Sequence, residues 1–234
     1  MLGGGLCLRH KRFVFQRIIF MKKTLIFLLM LIVAVSLFVG CKNEPEAKTY
    51  KVGDTGPAGG YIFYDCDADN DSGNADGLIS SECGWRFLEA APENVGKYVF
   101  GYYRTSDTGS NTAVGTSAEI GKGKANTEKL VETMGATTYK AESGSEKKVC
   151  AAAACLGYEK NGYKDWFLPS SDELKQMYEN LIKAGVGSFE DPFYWSSSEV
   201  EESATKAYSL IVSTGVINNP ERSSVVRVRP VRSF

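Results

Sequence analysis

Residues 162–181 read GYKDWFLPSSDELKQMYENL, and within them Ser170-Ser171-Asp172-Glu173 opens a helix. The serine hydroxyl and the glutamate three positions on satisfy each other's backbone N–H groups, the reciprocal arrangement of a capping box. Leu174, Met177, Tyr178 and Leu181 then recur at i, i+3, i+4 and i+7, and Gly185 stops the run. This apolar stripe belongs against a core. Downstream the period changes to two: Tyr194 to Ser198, Tyr208 to Ser213 and the closing Val225 to Arg232 read as strands. Alternation in the last of these puts Val226 and Val228 on one face and Arg227 and Arg229 on the other. Upstream, Tyr61 to Tyr64 follows the turn residues 53–60, and Trp85 to Ala90 and Tyr98 to Tyr103 are further strand candidates. Asn126 is expected to cap a second helix, with Leu130, Val131 and Met134 on one face and Gly135 at its end.

The amino-terminal segment bears on compartment. Met21 to Cys41, MKKTLIFLLMLIVAVSLFVGC, has a charged start, an apolar middle and a small residue before cysteine, the layout of an export signal. Gly40-Cys41 followed by the polar run Lys42 to Glu46 resembles the lipobox of bacterial lipoproteins. That resemblance implies cleavage before Cys41 and acylation of Cys41, with diacylglycerol and palmitate inserted in a lipid bilayer. The expected organisation is a signal peptide at 1–40, of which 1–20 is an over-long start or an extended n-region. A lipidated tether at 41–50 and a domain at 51–234 follow, held in the cell envelope at the outer membrane, on its surface or periplasmic face. Two other readings stand beside this one. Phe38 occupies a position where the lipobox usually has Leu while Ala34-Val35-Ser36 suits an ordinary signal peptidase, and the apolar run approaches the ~17 to 25 residues of an uncleaved span.

Composition bounds the remainder. Six of the 27 Lys and Arg and none of the 28 Asp and Glu precede Cys41, leaving 21 bases against 28 acids, a net −7 for the mature chain. Nucleic acid is not an expected partner of such a surface. The single histidine, His10, lies in the leader, so Cys/His zinc sites and imidazole-activated nucleophiles are not expected in the mature protein. Four cysteines follow Cys41: Cys66, Cys83, Cys150 and Cys155. An even count in an exported chain suggests two disulfides. Cys66 with Cys83, bracketing a Gly/Asp/Ser-rich loop, is the favoured pair, with Cys150 to Cys155 as the second. VCAAAACLGY reads as a helix, however, whose geometry opposes that second bridge, and two buried thiols are the alternative there.

Between Asp65 and Gly77 the carboxylates of Asp65, Asp67, Asp69 and Asp71 alternate, with Asp76 behind them. Oxygen ligands at this spacing resemble those of a calcium loop. Counted from Asp65, Asn70 stands where an EF-hand has glycine and Asp76 where it has a bidentate glutamate. A calcium site and a solvated acidic turn are equally compatible with these residues.

GDTGPAGGYIFYD, GWRFLEAAP, IGKGKANTEKLVETMG, GYKDWFLPSSDELKQMYENL, FYWSSSE and VRVRPVRSF, in this order, resemble the domain at the C-terminus of the Legionella collagen-like adhesin. The resemblance spans Lys51 to Phe234. It implies an α+β, C-type-lectin-like fold of the formylglycine-generating-enzyme branch: twisted antiparallel sheets flanked by two main helices, with N- and C-terminal strands paired. Relatives pass from the first strand to GWR by a short turn, so the acidic segment is an insertion here. For the adhesin itself the family implies binding of sulfated glycans. Carried over position by position, the matching motifs offer Trp195, Glu199, Arg227 and Arg229 as ligand-binding residues. The competing reading makes the tryptophans core anchors and pairs Glu199 with Arg227 or Arg229 between strands. The oxidase branch needs thiols near the C-terminal end, and no cysteine follows Cys155. The expected function is thus a non-catalytic lectin-like lipoprotein for a glycan or host protein; a structural or assembly lipoprotein of the envelope without a carbohydrate site is the alternative.

Overall fold

The computed structural model describes residues 49–68, 80–101, 113–134, 137–138, 148–190 and 192–234. Residues 1–40 of the expected leader, Cys41, the expected tether at 42–48, the strand expected through Tyr103 beyond Gly101, the helix stop expected at Gly135, and Asp69, Asp71 and Asp76 lie outside these residues. Ten strands are described: β1 (Tyr61–Asp65), β2 (Phe87–Ala90), β3 (Gly96–Tyr98), β4 (Thr137–Thr138), β5 (Lys148–Val149), β6 (Phe193–Glu199), β7 (Ala207–Ile211), β8 (Ile217–Asn218), β9 (Val226–Val228) and β10 (Val231–Ser233). The helices are α1 (Ser80–Cys83), α2 (Gly123–Met134), α3 (Ala151–Leu156) and α4 (Ser171–Met177), the last continuing into a π-helical turn, Tyr178–Ile182. The fold is a mixed α+β one.

Both bonds of the capping box are made: Ser170 Oγ accepts from the Glu173 N–H at 3.2 Å and the Glu173 carboxylate accepts from the Ser170 N–H at 2.8 Å. The expected stripe is buried at Leu174, Met177 and Leu181. Beyond Met177 the helix widens, with the Lys183 N–H reaching Tyr178 O at 3.0 Å. Helix α2 begins earlier than its expected cap. Asn126 sits inside it, buried, donating to Ser117 O at 2.6 Å and Ser197 Oγ at 3.1 Å and accepting from the Ser117 N–H at 2.9 Å. Its amide is committed to a long-range network rather than to the helix start, which overrides the local preference for a cap.

β1, β2 and β10 form one sheet in that order, and β3-β9-β6-β7-β8 form a second, with β4 and β5 as a separate pair. The N- and C-terminal strands therefore do not pair directly as the resemblance implied: β2 lies between them, antiparallel to both. The larger sheet is mixed, because β6 and β9 run parallel at Tyr194 and Arg227.

The closing segment, read from sequence as one strand, is two strands in different sheets. Pro230 has no N–H to give a ladder, and its carbonyl accepts from the Ala91 N–H at 2.8 Å. The chain thus leaves one sheet at Val228 and joins the other at Val231. This step breaks the alternation: Arg229, expected beside Arg227 on an outer face, is 1% exposed.

One core lies between the smaller sheet, α4 and the β6–β7 hairpin, built from Phe63, Leu88, Met177, Tyr194 and Leu210. A second surrounds Trp195 with Leu130, Phe100, Cys155 and Val228. Each large apolar side chain so enclosed contributes ~1.5 to 3 kcal/mol over its exposed state. Gly60, at the start of β1, abuts the carbonyl of Ala90 so closely that an added Cβ would overlap its oxygen.

Candidate functional site

Three buried glutamates organise the loops that surround the sheets. Glu89 on β2 accepts from the N–H groups of Ala58 at 3.1 Å and Gly60 at 2.7 Å and pairs with Arg232 Nη1 at 3.1 Å. Glu173 on α4 accepts from Gly121 at 2.9 Å and Gly123 at 3.3 Å as well as from Ser170. Burial pushes its carboxyl up to about 7, against the opposing pull of those N–H donors. Glu199 at the end of β6 accepts from Val114 at 2.9 Å and Gly115 at 2.8 Å, with Arg222 Nη2 at 2.8 Å. In each case a carboxylate stands in for the ladder partners a loop lacks, and backbone donors satisfy the buried charge.

These contacts show where the four candidate ligand residues sit. Trp195 is wholly buried, its indole N–H donating to Tyr98 O at 2.9 Å. Glu199 is a loop anchor, and its cationic partner is Arg222, not Arg227 or Arg229 as expected. Arg229 donates to Asn94 Oδ1 and to the carbonyls of Ala91, Gly187 and Ser188, at 2.8 to 3.2 Å, and stacks 4.2 Å over the Phe189 ring. Arg227 is half-buried and lies 2.7 Å from Glu190. The four do not converge on a common surface; three of them hold loops and strands together from within.

Two of the five candidate calcium ligands fall among the described residues. The carboxylate of Asp65 is gripped at both oxygens by Arg86, at 2.9 and 3.1 Å. Asp67 accepts from the Ser80 N–H at 2.8 Å and hydroxyl at 2.7 Å, bonds that hold its carboxyl below the usual range. Both charges are thus already met by protein groups, and among the described residues no cluster of three or more acidic, cysteine or histidine side chains is placed to hold a metal.

The sulfurs of Cys66 and Cys83 touch at 3.6 Å, against ~2.05 Å for a bond. Cys150 instead caps α3, its sulfur accepting from the Ala153 N–H at 3.4 Å, and Cys155 is buried on the last turn of the same helix. Residues five apart on a helix are separated by roughly 8 Å between Cα atoms, beyond disulfide reach, so the second bridge is not made. Burial pushes both thiols up.

A cleft of about 440 Å³ opens elsewhere, where α1, the start of α2 and the end of the chain meet. Its walls include Trp85, Phe167 and Phe234, with Lys124 and Glu128 one helical turn apart on α2. Trp85 is half-exposed, held between the Tyr64 ring at 6.0 Å and the backbone of Gly121, which turns with φ +82°. Glu173 fixes that turn from behind through the Gly121 and Gly123 N–H groups. Sequence reading placed Trp85 on a strand and passed over Lys124 and Glu128. The available signal is a tryptophan between glycine and arginine ahead of β2; its indole packs on the edge of the first core and leaves the rest of its surface to the cleft. Compared with known proteins, the chain matches no family model and no curated sequence.

Proposed function

We propose that this chain is an exported cell-envelope lipoprotein, anchored through acylated Cys41, whose domain from Lys51 to Phe234 is a non-catalytic, C-type-lectin-like module related to the C-terminal domain of the Legionella collagen-like adhesin. Its task is to bind a glycan or a host protein at the outer membrane. The observation that carries the binding reading is the cleft beside Trp85, which combines apolar ring faces with a nearby ammonium and carboxylate, the mixture typical of small-ligand sites. Its volume falls within the ~300 to 1,000 Å³ of such sites. The anchoring reading rests on Gly40-Cys41 and the polar residues after it.

The anchor is tested by metabolic labelling of the full chain with a fatty acid in a Gram-negative host. Wild type is expected to take up label and partition with membranes, and Cys41→Ser to lose most of both. Equal labelling of the two forms would refute the lipoprotein assignment.

Export also bears on Cys66 and Cys83. With sulfurs already 3.6 Å apart, the pair is expected to close in an oxidising compartment, stabilising the fold by about 3 kcal/mol on the chain-entropy account of a loop this long. Peptide mapping without reduction checks the linkage. Alkylatable thiols at both positions in protein recovered from the envelope would count against it.

A further inference from the structure

Among the described residues the buried polar groups of this domain are mostly spoken for. Trp166 donates its indole N–H to Tyr163 O and Trp195 to Tyr98 O. Some surface charges on the helices pair locally, as Lys175 does with Asp172 and Lys183 with Glu179. Three groups that converge on the cleft are left to solvent. No described residue accepts from the Trp85 indole N–H or forms an ion pair with Glu128, and Lys124, which stands at i, i+4 to Glu128 on one helix, makes no hydrogen bond but is near enough to the Asp165 carboxylate to favour its charged form. The cleft therefore presents an aromatic side chain, two donors and one acceptor, with the positive charge of Lys124 offset by Glu128 on the same helix and by Asp165.

Resting on the reading of the domain as a glycan-binding module, we propose that this cleft takes an uncharged terminal sugar of a glycan. The C–H face of a pyranose ring packs on the half-exposed indole of Trp85, as aromatic rings pack on polarised C–H groups. Adjacent ring hydroxyls both donate and accept, so one donates to Glu128 while its neighbours accept from Lys124 and Trp85 Nε1. A sulfated or sialylated residue would set an anion against Glu128 with only one cation to balance it. The balanced pair selects for neutral sugars by that repulsion. Gly121 and Glu173 position the site rather than touch the ligand: the glycine lets the indole lie against the backbone, and the carboxylate holds that turn.

The test is a glycan array containing neutral, sialylated and sulfated structures, probed with the full chain in detergent micelles. Neutral glycans are expected to dominate, with binding nearly constant between 50 and 500 mM salt, since no net charge is neutralised. Trp85→Ala should weaken the best neutral ligand about tenfold or more. Because that change could disturb the Tyr64 contact, Glu128→Gln and Lys124→Gln, both at exposed positions with no hydrogen-bonded partner among the described residues, provide the second arm: each should weaken binding several-fold with a melting temperature changed by no more than a degree or so. Binding confined to sulfated glycans, steeply salt-dependent and indifferent to all three substitutions, would overturn the cleft assignment and leave the lectin reading standing. Binding to host proteins that survives their deglycosylation would also overturn it. No binding to any glycan would overturn both, in favour of a structural envelope role.

Discussion

Replacing Arg222 with alanine is expected to destabilise the domain by about 3 to 5 kcal/mol, the range for removing one partner of a buried ion pair. Arg222 and Glu199 have essentially no exposed side-chain surface, and 2.8 Å separates the guanidinium from the carboxylate. Without the cation, Glu199 keeps the N–H donors of Val114 and Gly115 but carries an uncompensated charge in a medium that solvates it poorly. Urea unfolding of the variant beside wild type measures the loss. The double replacement Arg222→Met with Glu199→Gln removes both charges while keeping an acceptor for the loop, and should regain a large part of it. A loss below about 1 kcal/mol in the single variant would mean that the pair is not enclosed as described.

Gly60→Ala is expected to cost at least about 4 kcal/mol, in the range reserved for steric or charge defects in a core. The added methyl would overlap the Ala90 carbonyl oxygen, a backbone atom of β2 that cannot move without breaking the Tyr61–Ala90 register. Moving β1 outward to relieve the clash would also stretch the 2.7 Å bond from the Gly60 N–H to Glu89. Gly53→Ala is the control. Its φ of +93° disfavours a side chain, yet nothing lies within 4 Å of an added Cβ, so only the backbone cost of ~1 kcal/mol is expected. Thermal melts of the two variants should differ widely; similar melts would show that β1 and β2 are not packed this closely.

The candidate site was less legible than the elements. Trp195, Glu199, Arg227 and Arg229 lie in segments whose pattern marked them as strands, and β6, β7 and β9 are where that pattern placed them. Their burial follows from features with no local signature. The register of β6 on β7 shifts between Trp195 and Glu199, which turns the carboxylate toward the loop at 114–116 and toward Arg222. Pro230 redirects the chain, which turns Arg229 inward onto carbonyls of two separate loops. All three arginines offer the same chemistry in sequence, and only the path of the backbone selects the one that meets Glu199.

What the sequence determined by itself was local. The serine and glutamate of the capping box are three residues apart, the stripe of α4 recurs within two turns, and strand alternation needs only neighbouring positions, so each can be read from hydrogen-bond and side-chain geometry over a few residues. The tertiary structure decided whatever joins distant segments. It set the strand order of the two larger sheets, the partner of each buried glutamate, and the meeting of Trp85 with Lys124, Glu128 and Phe234 around one cleft. Those juxtapositions depend on strand register and on the direction in which loops return, and these follow from burying the whole apolar surface at once rather than from any single stretch of chain.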